Sequence, residues 1–103
     1  MNTPEVQPEK FDLKNFELID VRSPEEFSGE LGHIKGSKSI PLGENFEKAL
    51  DYYSKDQKIV FICRSGNRSG KATAFAISRG FKRVYNLNGG MLLWNKLNLE
   101  IES

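Results

Sequence analysis

The chain has 103 residues, fifteen Lys and Arg against fourteen Asp and Glu, a formal charge of +1 and a single cysteine, Cys63. That length fits one domain with a modest core and leaves no room for a separate substrate domain. The near balance of charge argues against nucleic acid or an acidic membrane as partner, and one cysteine excludes an internal disulfide and a cysteine-rich zinc site. A lone thiol fits a reducing compartment, with the cytoplasm as the expected location.

Residues 1–10 carry Pro4 and Pro8 among polar and charged residues with no apolar run. They are expected to be an exposed lead-in, neither signal peptide nor membrane span, ahead of a single domain over residues 11–103. Residues 16–21 (FELIDV) form a short apolar run closed by charge and by the Ser23-Pro24 break, which predicts a buried strand. Ser23 is placed to cap a short helix with Pro24 at its first position and Glu25 and Glu26 in its first turn, stopped by Gly29. Gly32, Gly36 and Pro41 frame a loop around a brief strand at residues 39–40, and Phe46, Ala49 and Leu50 predict a second helix over residues 44–53.

Residues 58–62 (KIVFI) are the most strand-like stretch, and their β-branched and aromatic side chains without polar alternation predict a central strand covered on both faces. Cys63 follows at once. Ala72, Ala76 and either Phe75 or Ile77 give a helical stripe from Ser69 to Gly80, residues 83–87 supply another strand, and a short last helix after Gly89-Gly90 carries Leu92, Leu93, Trp94 and Leu97. Strands alternating with helices at this spacing predict a three-layer α/β domain with a mainly parallel sheet flanked by helices.

The informative segment is residues 63–68 (CRSGNR), set between a hydrophobic strand and a helix. In an open α/β sheet, ligands collect beyond the carboxyl ends of the strands, where the next helix directs unpaired N–H groups and a partial positive charge at the loop. Gly66 lets the backbone bend so that amides converge, and Arg64 and Arg68 add fixed positive charge around the sulfur. This setting favours thiolate over thiol and makes Cys63 a nucleophile near neutral pH without a histidine base.

At these residues the chain resembles the rhodanese family, in its short, single-domain thiosulfate sulfurtransferase form. The six-residue active loop of that family is matched by Cys63, Arg64, Ser65, Gly66, Asn67 and Arg68, followed by Ser69. Asp20-Val21-Arg22 with Glu25 and Phe27 resembles an early family signature, and residues 32–37 (GHIKGS) with Ile40-Pro41 resemble a second. Gly80, Val84, Leu87, Gly89-Gly90 and Trp94 resemble the usual ending. The resemblance implies a persulfide on Cys63 cradled by loop amides, with Arg64, Ser65, Gly66, Asn67, Arg68 and Ser69 holding the donor. It also implies thiosulfate or another sulfane-sulfur donor, and cyanide, a small thiol or a thiol protein as acceptor, with no metal or organic cofactor. One departure is that only fifteen residues precede Phe16, so the front layer is expected to be abbreviated.

His33, remote in sequence and surrounded by glycines, is expected to brace a loop. Asp20 and Arg22 are expected to organise neighbouring loops through charge-assisted bonds, and Trp94 to anchor the last helix in the core. A rhodanese-like phosphatase or arsenate reductase is the enzymatic rival, but its related loop carries one more residue than the six from Cys63 to Arg68. The alternative outside enzymology is a sulfur-relay or binding module that docks to a partner protein.

Overall fold

The computed structural model describes residues 3–10 and 12–103. Five strands, β1 (Glu5–Val6), β2 (Glu17–Asp20), β3 (Lys38–Ser39), β4 (Ile59–Ile62) and β5 (Val84–Leu87), form one sheet in the order β1-β5-β4-β2-β3, with every pair parallel. Among the described residues four α-helices accompany it, α1 (Pro24–Phe27), α2 (Glu44–Leu50), α3 (Asn67–Ser78) and α4 (Gly90–Lys96), with a single 3-10 turn at Leu13–Asn15. The three-layer α/β architecture with a parallel central sheet is the one expected.

β4 sits at the centre, and all four of its residues are buried. Because successive side chains alternate across a strand, Ile59 and Phe61 join one core and Val60 and Ile62 the other. On the first face Ile19 and Val84 pack with Phe46 and Leu50 of α2 and Ala72 and Ala76 of α3. On the second, Leu18 and Leu87 pack with Met91 and Trp94 of α4. The Trp94 indole N–H donates to the Glu100 carbonyl at 2.9 Å, so the polar edge of a buried ring is satisfied as it anchors the last helix.

Two expectations are corrected. The amino-terminal segment is not wholly an exposed lead-in, because Glu5 and Val6 add an edge strand beside β5. The Asn86 amide donates to the Pro4 carbonyl at 2.8 Å and the Asn88 amide to the Val6 carbonyl at 3.0 Å. Met1 and Asn2 of that lead-in, and Phe11 at the expected domain boundary, lie outside the described residues. Proline suits this place, since an edge strand needs hydrogen bonds on one side only. The second helix ends at Leu50 instead of residue 53: the amides of Tyr52 and Tyr53 bond three residues back, to Ala49 and Leu50, which tightens the last turn out of the α-helix.

All strands point the same way, so their carboxyl ends share one edge of the sheet, where Asp20 of β2 registers with Ile62 of β4. The β2–α1 and β4–α3 turns open side by side there. Among the described residues no helix is long and apolar enough to cross a membrane.

Candidate active site

Cys63 is the first residue after β4, only 1 % exposed, and its sulfur points under the turn that leads into α3. α3 begins at Asn67, two residues earlier than the sequence pattern suggests, because Gly66 at φ +100 takes the left-handed conformation a helix-entry turn needs here. The first turn of α3 has no side-chain cap. Instead the Gly66 amide donates to Cys63 Sγ at 3.1 Å and the Ser69 hydroxyl to the same sulfur at 3.2 Å.

Burial pushes the Cys63 thiol up, as it does any group that must become charged out of water. The bonds from the Ser69 hydroxyl and from the amides of Ser69, Gly66 and Ser65 outweigh it, and the net effect lowers the pKa below its ordinary value. Dipoles fixed by the fold thus favour the thiolate without a neighbouring base.

The turn is held from a second side by α4. The amides of Met91 and Leu92, in its first turn, donate to the carbonyls of Cys63 and Arg64 at 2.8 and 2.9 Å. Such close backbone contact requires glycine at the helix start. A Cβ on Gly90 would lie 2.5 Å from the Cys63 carbonyl oxygen and 2.6 Å from that of Arg64. The Gly89-Gly90 pair marks a helix boundary in the sequence, and in the structure it is also what lets α4 grip the cysteine turn.

The other expected site residues divide. Ser69 is buried at the sulfur, Gly66 shapes the turn, and Ser65 contributes its amide while its side chain is exposed. Asn67 opens α3 and faces solvent. Arg64 is exposed and has no side-chain hydrogen bond or ion pair among the described residues. It lines a cleft of about 330 Å³ beside the turn, together with Arg22, Glu26, Gly29, Glu30, Leu31 and Leu92. Arg68, expected to hold the donor, is already engaged: its two terminal nitrogens donate to the two carboxylate oxygens of Glu26, each at 2.8 Å. The Arg68 bonds hold the Glu26 carboxyl down at about 2 against the opposing effect of burial, with the Ser23 amide adding to the lowering.

Asp20 and Arg22 are fully buried and paired, with Arg22 Nε 2.9 Å from Oδ1 and Nη2 2.7 Å from Oδ2 of Asp20. Nη2 also donates to the Gly32 carbonyl at 2.7 Å, tying the end of β2 to the next loop. Such a pair is costly to break singly, because one removal leaves the other charge buried alone. His33 stacks on Phe27 with ring centroids 3.8 Å apart, places Nδ1 3.0 Å from the Phe27 carbonyl, and exchanges backbone bonds with Glu102. Its described partners are all structural, and none belongs to the cysteine turn.

Two further residues were not found from sequence. Asn86 on β5 accepts from the Ser69 hydroxyl through Oδ1 and donates through Nδ2 to the Gly66 carbonyl at 3.0 Å. That side of the amide faces only acceptors, the Gly66 carbonyl and the Glu5 carboxylate, which fixes the nitrogen there and leaves Oδ1 towards Ser69, so the single Ser69 proton is shared between Asn86 and the sulfur. Glu26 is the second, read from sequence only as a helix-start charge. Neither carries a local signal, since each meets its partner 17 or 42 residues away.

The family described as the rhodanese-like domain matches residues 3–97. The thiosulfate sulfurtransferase GlpE of Pseudomonas paraeruginosa is 37% identical over 83 residues, covering 79% of this chain and 71% of that protein. The uncharacterised protein YqhL of Bacillus subtilis is 37% identical over 78 residues, covering 76% of this chain, which spans only 60% of that relative's length. A crystal structure of a rhodanese-related protein from Thermoplasma volcanium superposes with a TM-score of 0.85 at 25% identity, over 96% of this chain and 97% of that one. The chain belongs to the rhodanese family and is homologous to known thiosulfate sulfurtransferases.

Proposed function

We propose that this chain is a sulfurtransferase that moves sulfane sulfur from thiosulfate or a related donor to cyanide, a small thiol or a thiol protein, through a persulfide on Cys63. The observation that carries the reading is the convergence of the Gly66 amide and the Ser69 hydroxyl on one buried cysteine sulfur whose pKa is lowered.

In the first half-reaction the Cys63 thiolate attacks the outer sulfur of thiosulfate. The new bond joins Sγ to that sulfur, the bond to the sulfonate sulfur breaks, and its electron pair leaves with sulfite. The persulfide then carries the negative charge on its outer sulfur, where turn amides lower its energy as they do for an oxyanion. In the second half-reaction cyanide or a thiolate attacks the outer sulfur, and the bonding pair returns to Sγ as thiolate. Cys63 is the only cysteine of the chain, so the accepting thiol comes from outside. A reducing compartment, the cytoplasm, suits that exchange.

Intact-mass measurement after thiosulfate treatment and removal of excess donor tests the reading. The expected result is a gain of one sulfur atom, lost again on addition of cyanide or a reducing thiol. An unchanged mass for folded, reduced protein refutes it.

A further inference from the structure

The two arginines of the cysteine turn have different fates. Arg68, in the first turn of α3, spends its planar fork on Glu26 through two bonds of 2.8 Å. Glu26 is itself fixed, because its Oε1 accepts from the Ser23 amide at 3.2 Å while its own amide donates to Ser23 Oγ at 3.2 Å. With its pKa at about 2, the carboxylate stays ionised throughout the working range, and the strap stays closed. Of the two arginines, Arg64 has no side-chain partner among the described residues, and it lines a cleft of about 330 Å³ together with Glu26, Glu30, Leu31 and Leu92.

Thiosulfate suits this cleft poorly. It brings two negative charges and no apolar surface, whereas the cleft, with Glu26 neutralised by Arg68 and Arg22 by Asp20, offers one unpaired cation, the carboxylate of Glu30 and two leucines, with a volume near the lower end of about 300 to 1,000 Å³ typical of organic-ligand sites.

The geometry points to Glu26 as a specificity-determining positioning residue: by holding Arg68 away from the donor, it selects singly charged organic sulfane donors, such as alkyl thiosulfonates and organic persulfides, over dianionic thiosulfate. The inference rests on the Cys63 persulfide reading. With an alkyl thiosulfonate the thiolate attacks the outer sulfur, the bond to the sulfonyl sulfur breaks, and its electron pair leaves on the sulfinate.

Glu26→Gln keeps an oxygen for the Ser23 amide but removes the charge that engages Arg68. Loading of Cys63 is measured by intact mass with thiosulfate and with methanethiosulfonate, and the ratio of the two kcat/KM values is compared among variants. The expected result is a rise of about tenfold in the thiosulfate-to-thiosulfonate ratio for Glu26→Gln, the worth of one charge-assisted contact. That rise is lost in Glu26→Gln with Arg68→Ala. A role limited to bracing the turn predicts no gain for thiosulfate in either variant. A ratio that stays or falls in Glu26→Gln, or a rise that persists without Arg68, overturns the inference while leaving the persulfide reading intact.

A second measurement needs no variant. Relative to a free small-molecule thiolate reacting with the same two donors, the wild-type protein favours methanethiosulfonate, and a preference for thiosulfate on that scale overturns the inference. If neither donor loads Cys63, the persulfide reading fails and this one with it.

Discussion

Two strand-to-helix turns lie side by side at the carboxyl edge of the sheet, and they use their polar groups in opposite ways. In the β2–α1 turn the helix-entry amides are met by side chains of the turn itself. Ser23 and Glu26 form a reciprocal capping box, and Asp20 closes on Arg22. In the β4–α3 turn the N-cap residue is Gly66, which has no side chain to accept a bond, and the donors at the helix entry turn to Cys63 Sγ. The sulfur occupies the acceptor's place that the Ser23 oxygen occupies next door. A closed turn supports structure, whereas an uncapped one leaves its dipoles free to hold a charge that appears during chemistry.

The largest effect comes from making the second turn resemble the first. Cys63→Ser keeps an acceptor at the head of α3 but replaces the nucleophile with a hydroxyl that stays protonated at neutral pH. Sulfur loading, read by intact mass after thiosulfate, is expected to vanish while the circular dichroism spectrum is retained. Next is Gly90→Ala, which drives a Cβ to 2.5 Å from the Cys63 carbonyl and places alanine at φ +57. The backbone conformation alone costs about 1 to 3 kcal/mol, and the clash moves the turn as well. Denaturant unfolding and turnover on the same sample should show both losses; an active protein of wild-type stability would contradict the described contact.

Ser69→Ala removes one of the donors that favour the thiolate and leaves the amides in place. The Cys63 pKa rises, less thiolate is present at neutral pH, and loading at pH 7 slows by about tenfold, the worth of one hydrogen bond to a charged group. Activity recovers as the pH is raised, which a general loss of structure does not produce. The smallest effect falls on the closed turn. Glu26 has a folded pKa of about 2 against an ordinary 4.5, so the folded protein binds fewer protons, and the stability this contributes is present above pH 4.5 and lost as pH falls towards 2. The pair is partly exposed, so the contribution stays within about 1 kcal/mol. Glu26→Gln should therefore flatten the decline of stability between those pH values, seen in acid-limb unfolding curves, and an unchanged slope argues against the Arg68 strap.

What the sequence made legible is what repeats locally. The apolar run of β4, the break at Ser23-Pro24, the cap at Ser23 and the cysteine turn with Gly66 all announce themselves within a few residues, and the structure places each as expected. β1 was hidden because it is two residues long beside prolines and is held by backbone bonds to β5, some eighty positions away. The roles of Asn86 and Glu26 were hidden for the same reason: a hydrogen bond between distant elements leaves no periodicity behind. Arg68 shows the converse, since its place in the turn was plain but its partner on α1 was not.

The central claim is that the Cys63 sulfur takes the vacant cap position of α3 and that the donors there favour its thiolate form. Its most direct test is titration of the reduced, folded protein by the ultraviolet absorbance of the thiolate, which does not depend on access of a reagent to a buried sulfur. The account predicts a midpoint below that of the same cysteine in the unfolded chain. It also predicts an upward move of that midpoint in Ser69→Ala. A midpoint at or above that of the unfolded chain, unmoved by Ser69→Ala, would contradict it.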